Sequence, residues 1–179
     1  MSSAPNRLVE IAPDRLSKEQ TLLMEKLVRE RGRVPTPFKI WLHSPVLANC
    51  LNDLGIYIAR GTSLAKSEAE IAVLILAAHW RADYVFAMHR KEAREAGLAV
   101  EVIDAIEGNG DSLSIHGALD DRQRCIHRLV RAFTERRTVP DDDFLTAAHE
   151  LGHAGIADVL ALCGYFTSVA LAMKLYQVS

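Results

Sequence analysis

Two stretches of the chain place acid/base or metal-binding side chains at spacings that could do chemistry. The first, residues 66 to 97, carries Glu70, His79 and His89. A histidine that titrates near neutrality both donates and accepts protons, and a facing carboxylate fixes its tautomer or passes the proton on. The plain alternative is a satisfied core histidine with a glutamate that merely suits a helix N-terminus. The second stretch is His149-Glu150-Leu151-Gly152-His153, a literal H-E-x-x-H. On an unbroken helix its histidines would share a face and bind zinc while the glutamate activated water. A third ligand is required, yet no Glu or His follows His153 and Asp158 is the only later acid. Gly152 and Gly155 also predict a break in the helix. A zinc hydrolase through His149 and His153 therefore ranks behind acid/base chemistry, and no metal site is expected.

The elements that must position these groups follow from the apolar pattern. From Ile71 to Trp80 every residue except His79 is apolar, which predicts a helix with no polar face in the middle of the packing. His79 is accordingly expected to be buried. Ala82, Val85, Phe86, His89, Ala93 and Ala96 then recur at helical spacing among charged residues, predicting an amphipathic helix that Gly97 closes. A turn near Trp80 to Asp83 leaves Glu70 about ten residues before it and His89 about seven after, so at ~1.5 Å per residue the two reach the same level. Trp80, Tyr84, Val85 and Phe86 could line a pocket beside them, although helical aromatics also make plain core. Arg60 and Arg81 stand at helix ends next to this hairpin, where either could hold a substrate carboxylate bidentately or simply be solvated.

Elsewhere the chain reads as helices and turns. Residues 1 to 16 contain two prolines and little periodicity, predicting an extended N-terminal arm before a single domain over 17 to 179. Ser17 to Gln20 form a capping box for a helix that stops at Gly32, and Ser44-Pro45 opens another that ends before Gly61. A short helix over 100 to 107 leads to a polar loop over 108 to 118. Asp120 or Asp121 caps a long amphipathic helix, Pro140 opens a shorter one, and a last helix from about Ile156 to Gln177 is apolar nearly all round. It must be buried or packed against another subunit. No segment alternates with period two over a strand's length, so the fold class is all-α.

Composition bounds the function. With 49% hydrophobic and 25% charged residues and a net charge of -2, the 179-residue chain has the make-up of a globular protein with no bias toward nucleic acid. Its basic clusters at Arg29 to Arg33 and Arg131 to Arg137 read as solvated helix ends. Cys50, Cys125 and Cys163 are odd in number and widely spaced, which suits a reducing cytoplasm and neither a disulfide scaffold nor a zinc knuckle. The N-terminus lacks the apolar core of a signal peptide, and the run at 71 to 78 is too short to span a bilayer. A cytoplasmic protein without a membrane or nucleic-acid partner is expected.

Glu70, eleven residues, Ala82, two residues, Val85, three residues, His89 reproduces the spacing of the Glu, Cys-x-x-Cys, His motif of the AhpD-like alkylhydroperoxidases, with both cysteines absent. Together with Leu42-His43-Ser44-Pro45, Gly61-Thr62-Ser63-Leu64, His79-Trp80-Arg81-Ala82 and Gly164-Tyr165-Phe166, the chain resembles the cysteine-free branch of the carboxymuconolactone decarboxylase-like family from about Pro35 to Val178. The resemblance implies an AhpD-like helical bundle around a central antiparallel hairpin, and homo-oligomers, often trimers or hexamers, with sites near subunit contacts. Thiol peroxidase chemistry needs an attacking and a resolving thiol, which Ala82 and Val85 cannot supply. What remains is a lyase or isomerase, decarboxylase-like and without a cofactor, acting by proton transfer on a small organic acid, lactone or enolisable carbonyl compound. His89 would be its acid/base, Glu70 the partner, and His79 nearby. A catalytically retired helical oligomer serving as a binding or scaffold protein is the alternative, fed by the loss of both cysteines and by Val85, where cysteine-free relatives commonly carry an acid.

Overall fold

The computed structural model describes residues 7–108 and 115–178. Among them there are helices and turns but no strand. The first six residues of the expected arm and most of the expected loop over 108 to 118 lie outside the described residues; of the arm, Pro13–Arg15 forms a 3₁₀ turn.

Local chemistry sets the helix ends. The Ser17 hydroxyl accepts the Gln20 N–H at 3.2 Å while the Gln20 side chain accepts the Ser17 N–H at 2.9 Å, opening α1 (Lys18–Arg31), and Gly32 closes it at φ 75°. Helices α2 (Thr36–Trp41) and α3 (Pro45–Arg60) follow, then the hairpin of α4 (Lys66–His79) and α5 (Asp83–Glu95), with Gly97 beyond it at φ 89°. After α6 (Val100–Glu107), Asp120 caps α7 (Asp121–Arg131) by accepting the Gln123 N–H at 2.8 Å. The long helix expected here runs on only as a π turn, Ala132–Arg136, where Arg137 turns left-handed at φ 59°.

The last two helices, α8 (Asp141–Glu150) and α9 (Gly152–Leu175), differ from expectation at their junction. The last helix starts at Gly152 and not near Ile156, because Gly152, at φ 66°, supplies the bend itself. The H-E-x-x-H sequence therefore straddles a helix break, with His149 and His153 both exposed.

Helix α4 is the hub. It packs against α5, α6, α7 and α9, and Ile71 to Ala77 are each 3% exposed or less. Its N-terminus is held by Glu68, which accepts the Ala65 N–H at 2.8 Å and the Arg122 Nε–H of α7 at 2.7 Å, while Arg122 also donates to the Glu150 carbonyl of α8 at 2.6 Å. One guanidinium thus joins three helices. Helix α9 is apolar and long enough to cross a membrane by length and composition. Here it lies against α2, α3, α4, α7 and α8, burying Val159, Leu162, Tyr165, Val169 and Met173. Its other side is uncovered, with Leu160, Leu171 and Leu175 exposed.

Candidate active site

The hairpin brings Glu70 and His89 together. His89 Nδ1–H donates to Glu70 Oε2 at 2.9 Å, which leaves Nε2 as the ring nitrogen able to take or give a proton. Glu70 is 2% exposed, so its carboxylate has little water to satisfy it and depends on its partners. The other oxygen, Oε1, lies 2.6 Å from the Lys66 ammonium one turn earlier on α4, and that ammonium also reaches Glu92 Oε2 at 2.5 Å. The result is a row of four charged or chargeable groups across the hairpin: imidazole, carboxylate, ammonium, carboxylate. Burial alone would lower the pKa of Lys66, but its bonds to Glu70 and Glu92 outweigh burial and raise it. For Glu92 burial acts upward, and the Lys66 bond and the His89 charge prevail and hold it low.

This row faces a cavity of about 470 Å³ enclosed by the α1–α2 segment, α3, α4, α5 and α9. Its apolar lining comes from Phe38, Ile58, Val73, Val85, Leu162 and Phe166. Phe166 meets the His89 ring edge-on at 5.0 Å, fixing the imidazole plane. Arg31, Arg33 and Arg60 also line the cavity. Arg31 is anchored: its Nε–H donates to Asn52 Oδ1 at 2.7 Å and the guanidinium lies 5.1 Å from the Phe38 ring centre. Arg33 takes part in no ion pair among the described residues, and Arg60 makes only a 3.4 Å bond to the Glu30 carbonyl. Gly55 makes this arrangement possible, since a Cβ there would sit 2.5 Å from Arg31 Nη2 and 2.6 Å from Tyr165 Oη.

Of the side chains singled out in the sequence, Glu70, His89, Tyr84, Val85 and Arg60 line the cavity, and Tyr84 is steadied by a 3.2 Å bond to Thr36. Four others do not. His79 is exposed, not buried, because it is the final residue of α4 and turns outward against Trp80, ring centres 5.0 Å apart. Nine residues from Glu70, it lies roughly 13 Å further along the helix. Trp80 caps that end, and Arg81 sits exposed in the turn at φ 50°. Phe86 is 6% exposed and belongs to the core; the α5 residues that line the cavity, Tyr84, Val85, Met88, His89 and Glu92, occupy an arc that at about 100° per residue stops short of Phe86. The arginine cluster at 29 to 33, read as a solvated helix end, instead delivers Arg31 and Arg33 to the cavity.

Sequence reasoning also missed Lys66 and Glu92. Their signal was present, since Lys66 precedes Glu70 by four positions and Glu92 follows His89 by three, the spacings at which helical side chains meet. No cysteine lines the cavity, and burial pushes the Cys163 thiol up to about 12.

No family model matches this chain, and no curated protein matches it. Among solved structures it is similar to an uncharacterized peroxidase-related protein from Silicibacter sp. TM1040, with a TM-score of 0.75 and 17% identity over 96% of this chain and 88% of that one. At that identity the likeness speaks for the fold alone: an all-helical fold of AhpD-like type, with α4 and α5 as its antiparallel hairpin.

Proposed function

We propose that the cavity is the active site of a carboxymuconolactone decarboxylase-like enzyme, a lyase or isomerase that moves a proton on a small organic acid, lactone or enolisable carbonyl compound. The observation that carries this reading is the His89–Glu70 bond of 2.9 Å at the wall of a cavity lined by both apolar and charged side chains. Glu70 fixes the tautomer and stabilises the imidazolium that forms when His89 Nε2 takes a proton. The released electron pair must be held by a carbonyl already in the substrate, and returning the proton to the resulting enolate or dienolate completes an isomerisation. In a decarboxylation the C–C bond supplies the electron pair, carbon dioxide leaves, and an imidazolium proton quenches the enolate. Neither route needs an electron carrier. Arg33 and Arg60, without carboxylate partners, favour an anionic substrate whose apolar body lies on Phe166, Val73 and Leu162.

The second reading, a binding protein that has lost catalysis, draws on Lys66, whose ammonium occupies one oxygen of Glu70 while His89 occupies the other, so that neither is left open to a substrate. One experiment separates the two. Small carboxylic acids, lactones and ketones are incubated with the protein in deuterated water, and exchange at the carbon next to the carbonyl is followed by NMR. The enzyme reading expects exchange or turnover that falls by about 10² or more in His89→Gln with the fold retained. Saturable binding without exchange by either protein favours the binding module.

A further inference from the structure

Glu70, His89 and Glu92 each offer a ligand atom to one wall of the cavity, and these atoms lie within 4.8 Å of one another. Something cationic already stands among them. The Lys66 ammonium lies 2.6 Å from Glu70 and 2.5 Å from Glu92, so the place attracts positive charge strongly enough to order a flexible side chain. With Glu70 only 2% exposed, a vacated position would leave a buried carboxylate with one oxygen unmatched and His89 as its remaining partner. Lys66 itself is anchored weakly from its own side: its side chain is 56% exposed, and it can swing into solvent without disturbing the core.

From this geometry we infer that Glu70, His89 and Glu92 form a divalent transition-metal site for which the Lys66 ammonium and the metal ion compete. Two carboxylates and one imidazole suit first-row metals such as zinc, manganese or iron(II), which accept mixed nitrogen and oxygen donors. Three protein ligands on one wall leave the remaining coordination positions to the cavity. Metal–ligand distances of about 2.0–2.2 Å in a tetrahedral site place donors ~3.4 Å apart, so any pair near the 4.8 Å limit has to close by more than about 1 Å. Glu92, whose side chain is 42% exposed, has the freedom to close that gap. His89 and Glu92 are a helical turn apart on α5 and Glu70 faces them from α4, so no backbone needs to move. The H-E-x-x-H sequence, by contrast, is split between two helices and supplies no such wall. The metal would occupy the same Glu70 and His89 that the proton-transfer reading uses, so it excludes that chemistry while bound. Binding is read without substrate and stands or falls independently of that reading.

The test uses full-length protein stripped by a chelator, zinc ion as the probe, and a His149→Ala/His153→Ala background that removes the two exposed imidazoles. Zinc affinity is measured by calorimetry and stoichiometry by elemental analysis. Lys66→Met removes the competing charge and is expected to tighten zinc binding by about tenfold or more, to one ion per chain. Adding Glu92→Gln or His89→Gln is expected to abolish that gain. Should Lys66→Met fold poorly, zinc is expected to raise its melting temperature, and Glu92→Gln in the Lys66-containing protein to weaken whatever zinc it binds. Lys66→Met that binds zinc no more tightly and gains no melting temperature from it overturns the inference. So does zinc held equally well after Glu92→Gln or His89→Gln.

Discussion

At the scale of the residue, the consequence of a shared His89–Glu70 bond is that the two cannot be removed independently. Glu70→Gln keeps the volume and one acceptor but loses the charge that stabilises an imidazolium, so its loss of turnover should resemble that of His89→Gln. The double variant should lose little beyond either single one, because residues that act as a unit are non-additive. Strictly multiplicative losses would mean that they serve separate ends. Gly55 gives a second prediction. Gly55→Ala adds a methyl group 2.5 Å from Arg31 Nη2 and 2.6 and 2.9 Å from Tyr165 Oη and Cζ, and both side chains are held, Arg31 by Asn52 and Phe38 and Tyr165 within the core. The helix gains about 1 kcal/mol of propensity, against about 1–3 kcal/mol for forcing extra volume into a packed site. We expect a lowered melting temperature together with weakened ligand binding; an unchanged binding isotherm would show that the Arg31–Tyr165 wall plays no part. The sequence made Glu70 and His89 legible because one helical hairpin fixes both. Arg31 and Arg33 were hidden, since a basic cluster at a helix end looks alike whether water or a cavity lies beyond it.

At the scale of the element, the tie between α9 and the α3–α4 connection rests on one acid. Asp158 is 5% exposed; its Oδ1 accepts the Tyr57 hydroxyl at 2.6 Å, and its Oδ2 accepts both the N–H and the hydroxyl of Ser63 at 2.8 Å. Burial pushes its carboxyl up, but the bonds from Tyr57 and Ser63 prevail and hold it below the ordinary value. A carboxylate with a depressed folded pKa stabilises the protein above its unfolded pKa, and that contribution disappears as pH falls through the folded pKa. Asp158→Asn turns one acceptor into a donor facing other donors, which should cost about 1–3 kcal/mol near neutrality. The difference in melting temperature between parent and variant should shrink as pH falls below about 4, and a gap as wide at about pH 2 as at neutrality would rule this account out. Helix starts and stops were well marked in the sequence: the Ser17 box, Pro45 and Gly97 act through backbone geometry that neighbours scarcely alter. Gly152 was legible as a break, yet not as the first residue of α9, because whether a glycine ends one helix or begins the next depends on what packs beyond it. His79 misled for a related reason: a run of apolar neighbours reports on the helix as a whole and not on its last residue.

At the scale of the whole molecule, the uncovered side of α9 carries exposed leucines on a helix whose other face is core. Leu160, Leu171 and Leu175 are 51%, 45% and 64% exposed. We propose that a homo-oligomer, a trimer or hexamer, covers it. Sedimentation at micromolar concentration should show a species heavier than the 19.8 kDa chain, and Leu171→Glu should shift it toward the monomer. A single 19.8 kDa species for the parent would exclude the assembly. The cavity has a further property that concerns time. One wall comes from Arg31 to Phe38 and another from Leu162 to Val169, while Glu70 and His89 lie between them in the chain. On a ribosome adding about 5–20 residues per second, the hairpin is complete several seconds before the helix that roofs it. During that interval the face of α4 that α9 will cover stays open to water. A fragment ending at residue 151 should therefore bind hydrophobic dyes and aggregate, and adding residues 152 to 179 in the same chain should abolish both. The wall that α9 supplies is the last of the cavity's walls to be synthesised.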